Sequence, residues 1–312
     1  MSAAIWGLPW PKVVSWAFSS PSSVRIRFGS FTFSGTRPET DFSAKDANSL
    51  CKGARRAISN RPDIDTLRDQ GALFLVFEPG RCPRSDQVEQ AIEGTAKVSV
   101  SNRPVNESAD GYAWLELLIE GLTFDLKGLD QPISVKATKF QHSIGISLPE
   151  VDDAYQALIL LPGPHLAGGQ SQLPIFRAHM ALGANIGALL PGLRAFGWLE
   201  SETLISGDRF AELIDQWLQG GALPVPGLIA LRNTMDGGLQ SVGLSFFTGQ
   251  ELRIEPEQWI DPDNARRQAV RLIQQLVLSG KLETTEQIIG PDGNPLRLEP
   301  SSNEKFVRVW RD

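Results

Sequence analysis

The second half of the chain, residues 155–312, alternates short helical and strand patterns, and this regularity constrains the fold more than any other feature. Its clearest helix has apolar residues at helical spacing, at Phe210, Leu213, Ile214, Trp217 and Leu218. Gly220 stands just past the end of that pattern, where a glycine commonly closes a helix. A later helix is predicted from Asp261-Pro262, a cap residue followed by a first-turn proline, to Gly280.

Apolar runs bounded by turn residues predict strands along the whole chain. Residues 72–77 form a continuous apolar run, which is typical of a buried strand, and residues 239–246 predict another. A glycine turn at residues 236–238 separates the second of these from the strand before it. Earlier in the chain, residues 24–33 alternate as a hairpin does, and Ser43 opens a helical pattern. The sequence therefore predicts an α+β fold with mixed or mainly antiparallel sheets packed by helices.

A hydrophilic stretch at residues 128–150 marks the predicted domain boundary. We expect an N-terminal α+β domain over residues 1–150 and a C-terminal α+β domain over residues 151–312. Two short segments, residues 72–75 and 157–160, resemble each other, and each leads to a proline and a glycine before a predicted helix. This similarity motivates the hypothesis of two related α/β sandwich halves.

Charge and cysteine content restrict the classes of partner and the compartment. The acidic and basic residues nearly cancel, at a net charge of -6 over 312 residues, so no strong field attracts a nucleic acid or an anionic membrane. Cys51 and Cys82 form neither a disulfide framework nor a paired metal motif, which favours a reducing compartment. The chain starts without a basic leader pattern and contains no run of about 20 apolar residues. We therefore expect a cytoplasmic protein without a cofactor, a nucleic-acid partner or a membrane partner.

The glycine-rich residues 163–169, here called the 163–169 loop, form the candidate site. A strand leads into this loop and a helix leaves it near Pro174, an arrangement that presents backbone N–H groups to an anion. The candidate ligand-binding residues are Gly163, His165, Gly168, Gly169 and Ser171. The loop lacks a phosphate-binding motif, because Gly169 and Gln170 stand where lysine and serine or threonine are required. A mobile connection without a ligand is the simpler interpretation, with Ser171 as the cap of the helix.

His165 is the candidate catalytic residue, because imidazole can accept or donate a proton near neutral pH. No Gly-x-Ser-x-Gly elbow occurs in the chain, so the nucleophile that a histidine serves in many hydrolases is missing. His179 lies within the predicted helix, as a core or surface residue, and its spacing to His165 does not form a zinc motif. Cys82 stands between Arg81 and Arg84, which suggests either a reactive thiol or an ordinary loop cysteine.

Three segments of the C-terminal half carry a family resemblance, namely residues 160–169, 217–221 and 243–252. They resemble a bacterial family described only as a domain of unknown function, and the resemblance is strongest over residues 155–312. It implies a bacterial origin and a shared α+β fold. It implies no activity and no catalytic residues.

Two main functions remain open at this point, beside a third possibility, the sensing of a small anion without turnover. The leading hypothesis is a non-enzymatic cytoplasmic interaction protein, such as an adaptor or a toxin-neutralising immunity protein, that binds a protein partner. The alternative is a cofactor-free hydrolase or transferase that uses the 163–169 loop with His165. The enzyme requires His165 to meet a carboxylate or hydroxyl in a pocket, whereas the adaptor requires an exposed binding surface.

Overall fold

Two β-sheets packed by helices organise the part of the chain that the structure describes. This computed structural model describes residues 64–103, 113–130, 133–134, 140–147, 155–256, 262–290 and 293–311. All of them belong to Ile58–Asp312, the larger of the two compact units of the chain. The predicted hairpin at residues 24–33, the helix predicted from Ser43, and Cys51 lie outside the described residues.

The first sheet contains nine of the described strands, in the order β2-β3-β4-β7-β1-β8-β9-β6, with β5 pairing β7. The strands are β1 (Leu73–Phe77), β2 (Ser99–Asn102), β3 (Ala113–Ile119), β4 (Leu122–Leu129), β5 (Ile133–Ser134), β6 (His142–Ile144), β7 (Gln156–Pro162), β8 (Leu193–Trp198) and β9 (Thr203–Ser206). Neighbouring strands are antiparallel except β6 and β9, which run parallel. The sheet therefore includes strands from both sides of residue 150, and the two-domain division stays a prediction.

Three helices pack on one face of this sheet, namely α2 (Ser85–Glu93), α3 (Leu173–Leu189) and α4 (Gly207–Leu218). The small residues of α3 allow it to approach the strands closely. A Cβ atom at Gly183 would lie 2.5 Å from Cδ2 of Leu73, and one at Gly187 would lie 2.5 Å from Cζ of Phe196. The opposite face forms a second apolar cluster, which includes Leu67 of helix α1 (Ile64–Asp69).

The second sheet contains six strands in the order β10-β11-β12-β15-β14-β13, and only β12 and β15 are parallel neighbours. They are β10 (Ala230–Asn233), β11 (Leu239–Val242), β12 (Glu251–Ile254), β13 (Glu286–Ile289), β14 (Pro295–Pro300) and β15 (Phe306–Arg311). Helix α7 (Pro262–Ser279) packs on β11 and β12, and two one-turn helices, α5 (Val225–Leu228) and α6 (Ser245–Thr248), complete the helices. The predicted α+β fold with mixed, mainly antiparallel sheets is confirmed.

Two local predictions are wrong, each for a backbone reason. The strand predicted over residues 239–246 ends at Val242, because Gly243 adopts a left-handed conformation with a φ of 100° and the one-turn helix α6 follows. The cap of α3 is Gln172 rather than Ser171, and its side chain makes no capping hydrogen bond. The predicted extents of α4 and α7 agree with the structure to within a few residues.

Candidate functional site

The 163–169 loop folds into a tight turn whose backbone N–H groups are largely paired within the protein. A short 3-10 helix covers Pro164–Leu166. The N–H of Gly163 donates to the carbonyl of Thr123 at 3.0 Å, and the N–H of Gly169 donates to that of Leu166 at 2.9 Å. The N–H groups of Leu166 and Ala167 also donate to carbonyls of the loop. Fewer donors therefore remain for an anion than the glycine-rich sequence suggests.

The glycines of this loop are explained by backbone geometry. A Cβ atom at Gly163 would lie 2.8 Å from the carbonyl oxygen of Thr123, so only glycine lets the loop pass this close to β4. Gly168 has a φ of 82°, a conformation that side chains rarely adopt. Both residues therefore have a structural role that needs no ligand. Ser171 lies half-buried in the turn before α3.

The structure brings His165 next to two polar residues of β4. Its exposed ring has Nδ1 3.4 Å from the hydroxyl of Thr123, at the outer limit of a hydrogen bond. Asp125 lies two residues further along β4, on the same face as Thr123 and so on the side of the strand that His165 approaches. The side chains of Thr123, Asp125 and His165 thus combine a hydroxyl, a carboxyl and an imidazole.

Asp125 is the unusual member of this cluster because it is buried. Only 6% of its surface is exposed, and among the described residues its Oδ1 atom has no hydrogen-bond partner. Burial raises the pKa of Asp125 to about 6, against the opposing effect of Lys127. Sequence analysis did not single out Asp125, because the approach of His165 depends on the pairing of β4 with β7, which no local pattern reveals.

The other predicted reactive groups have structural explanations. His179 is buried in α3, with Nε2 3.1 Å from the carbonyl of Leu160 and its ring stacked on Phe124. Burial lowers the pKa of His179 to about 4, so the ring is neutral at physiological pH. Burial raises the pKa of the Cys82 thiol to about 12, which favours the interpretation of Cys82 as an unreactive cysteine.

Two glutamates of the described region have roles that the sequence did not suggest. Glu251 accepts hydrogen bonds from the backbone N–H groups of Gly243 (2.9 Å), Leu244 (3.2 Å) and Ser245 (3.1 Å). The nearby Glu200 is partly buried, and burial raises its pKa to about 8, while Arg68 opposes this change. Its Oε1 atom has no hydrogen-bond partner in the described part of the chain.

A groove between α2 and β2, here called the α2–β2 groove, is a second candidate site. Its volume is about 340 Å³, and it is lined by Glu89, Ile92, Glu93, Thr95, Val98, Ser99 and Val100. Ile92 and Val98 are buried and form an apolar floor, whereas Glu93 and Ser99 are exposed at the rim. Among the described strands, β2 is the terminal strand of the first sheet. The groove therefore lies beside a sheet edge that no described strand covers.

Two further searches were restricted to the described residues. No group of three or more histidine, cysteine, aspartate or glutamate side chains there is arranged to hold a metal ion. Within the same residues, every helix is too short or too polar to cross a membrane. Comparison of the whole chain with family models, with curated proteins and with solved structures found no match in any of the three. The resemblance of residues 155–312 to a bacterial domain of unknown function therefore stays a prediction.

Proposed function

We propose that this protein acts by binding a partner protein, which docks an extended segment in the α2–β2 groove. The observation that carries the proposal is a groove with an apolar floor beside the outer edge of β2, which is terminal among the strands that the structure describes. Addition of a strand to an exposed sheet edge is a recurrent mode of peptide recognition, because the backbone supplies affinity and adjacent pockets supply specificity. An adaptor or toxin-neutralising protein functions through such binding alone.

The placement of the polar groups also supports a binding role. His165 is exposed and its hydroxyl contact is long, while His179 and Cys82 are held by burial in their uncharged forms. Glu251 is engaged with backbone donors. We include a bacterial cytoplasmic location in the proposal, on the basis of two isolated cysteines and the family resemblance.

A matched pair of tryptophan substitutions tests the proposal. Peptides would be selected with the full chain from a random library of short linear peptides displayed on phage, and their dissociation constants measured by fluorescence anisotropy. Ser99→Trp places a large side chain at the rim of the groove, and we expect it to weaken binding about tenfold or more, equivalent to about 1.4 kcal/mol. Ser143→Trp makes the same change at an exposed position of β6, at the opposite end of the sheet, and should leave binding unchanged.

Two results would contradict the proposal. One is that selection on this protein enriches no peptide relative to selection on an unrelated protein. The other is that Ser99→Trp binds the selected peptides as tightly as the wild type does, because the groove would then not be the binding site.

The second candidate function is a cofactor-free hydrolase or transferase, and the cluster of Thr123, Asp125 and His165 supports it. These residue types serve as nucleophile, orienting acid and base in acyl transfer, and the 3.4 Å contact of His165 with Thr123 is the observation in favour. A screen of ester, phosphate and amide substrates should then find turnover that His165→Ala abolishes and Gln170→Ala retains. A wild-type protein without turnover across that screen would argue against a hydrolase.

A further inference from the structure

We infer that the partner's segment binds as an added strand along β2 and places a basic side chain against Glu93. This inference rests on the proposed function and specifies the chemistry of the ligand at the same groove. Three features carry it, namely the outer edge of β2, which no described strand pairs, the apolar floor of the groove, and the difference in binding partners between two glutamates on α2.

The edge of β2 supplies the backbone contacts. β2 pairs only with β3 among the described strands, in a register that joins Ser99 to Leu118 and Val100 to Leu117. The register shifts between Val100 and Asn102, so the regular part of the outer edge lies at the start of the strand. The unpaired N–H and C=O groups of a terminal strand form a template for another strand.

The floor of the groove accommodates an apolar side chain. Ile92 is 3% exposed and Val98 is 4% exposed, and the half-buried Val100 packs against the same core. Side chains of an added strand alternate between the two faces of the sheet. Residues of the partner that face α2 would therefore contact Ile92 and Val100, while the residues between them face away from the helix.

The two glutamates on the groove side of α2 differ in what they already bind. Glu89 and Glu93 are four residues apart, so they lie on one face of the helix, separated by about 6 Å along its axis. Glu89 forms an ion pair with Arg103, whose Nη1 atom lies 2.9 Å from Oε2 of Glu89. Glu93 is exposed and has no hydrogen-bond or ion-pair partner among the described residues.

The ion pair of Arg103 indicates how the partner's basic residue would bind. Arg103 follows the last residue of β2, so it is an arginine at the end of an extended segment that reaches a carboxylate of α2. A short connection joins the end of α2 to the start of β2, and Arg103 past the other end of β2 reaches Glu89, so the start of β2 lies toward Glu93. Side chains on one face of an extended segment repeat about every 6.6 Å, which closely matches the spacing of the two glutamates. In a segment added along β2, a basic residue two positions from the apolar residue in the groove would therefore reach Glu93.

Charge reversal at Glu93 tests this inference. For the peptides selected above, replacement of the basic residue by glutamate should weaken binding to the wild type by about threefold to tenfold, as for an exposed ion pair turned into a repulsion. Glu93→Lys should reverse this preference, so that the glutamate peptide binds more tightly than the parent peptide. Glu283→Lys makes the same charge change at an exposed position far along the chain and should preserve the wild-type preference.

Backbone modification of the peptide tests the added strand without altering the protein. Methylation of the peptide nitrogens at alternate residues removes donors, and we expect one of the two alternate sets to abolish detectable binding while the other set is tolerated. Equal tolerance of both sets would overturn the added strand. Peptides that bind in a Ser99-dependent way but show no preference for a basic residue would overturn the role of Glu93 and leave the proposed function standing. Absence of any peptide binding would instead remove the proposed function and this inference together.

Discussion

At the residue scale, burial controls the protonation of several side chains that sequence analysis treated as chemical candidates. The sequence left open whether His179 is a core or a surface residue, and the structure shows that it lies in the core. Asp125 and Glu200 were not singled out as sites, because their burial depends on strands and loops that are distant in sequence. Composition identifies which groups can titrate, but only the packed structure determines which of them lose contact with water.

Glu200 gives the clearest prediction of pH dependence. Burial raises its pKa from 4.5 to about 8, so between these two pH values the folded state binds a proton that the unfolded state has released. The contribution of Glu200 to stability is therefore fully present below pH 4.5 and is lost as the pH rises toward 8. Glu200→Gln removes this titration. We expect the wild type to lose roughly 2 to 3 kcal/mol more than the variant between about pH 5 and pH 8.

Urea unfolding of both proteins at the two pH values measures this difference. Glu212→Gln changes an exposed acid of α4, which pairs with Arg209, and should keep the pH dependence of the wild type. If the free energy of unfolding changes with pH equally for the wild type and Glu200→Gln, burial does not raise the pKa of Glu200.

At the element scale, predictions succeeded where the determining contacts are local. The helices α3, α4 and α7 follow from apolar spacing, first-turn prolines and closing glycines, which lie within each helix or just past its end. The turn after β11 was predicted as part of a strand, because its residues are apolar and its acceptor, Glu251, belongs to the next strand. The α2–β2 groove was also missed, since an edge strand can be identified only from the order of the complete sheet.

Glu251 is predicted to hold the turn between β11 and β12. It accepts hydrogen bonds from three consecutive backbone N–H groups, from Gly243 to Ser245, and from the hydroxyl of Ser245 at 2.7 Å. Glu251→Ala leaves these donors without their acceptor, and we expect a loss of roughly 2 to 4 kcal/mol in the free energy of unfolding.

The matched control for this change is Glu299→Ala. Glu299 pairs with Arg297 at 3.3 Å at a half-exposed position of β14, and solvated pairs of this kind contribute less than about 1 kcal/mol. Chemical unfolding at neutral pH compares the two variants. Losses of equal size would mean that the carboxylate of Glu251 does not organise the turn.

At the scale of the whole molecule, the first sheet joins segments that are far apart in the chain. Strand β1 lies between β7 and β8, with Leu73 opposite Leu160 on one side and opposite Trp198 on the other. The residues that suggested a duplication, 72–75 and 157–160, are thus adjacent antiparallel strands, and the duplication stays a hypothesis. The apolar runs at residues 72–77 and 157–160 predicted strands correctly, because each run is a local pattern. The order of these strands depends on pairing between distant residues, so sequence analysis could not provide it.

The central position of β1 also affects how the polypeptide folds during synthesis. A ribosome releases β1 long before it has made either β7 or β8, so five consecutive buried residues remain unpaired while more than eighty others are added. Such distant pairing slows folding, because a large loop must close before the contact forms. At synthesis rates of about 5 to 20 residues per second, a nascent chain of this protein therefore exposes an aggregation-prone apolar strand for several seconds. Chaperones that bind apolar segments would protect it during that interval.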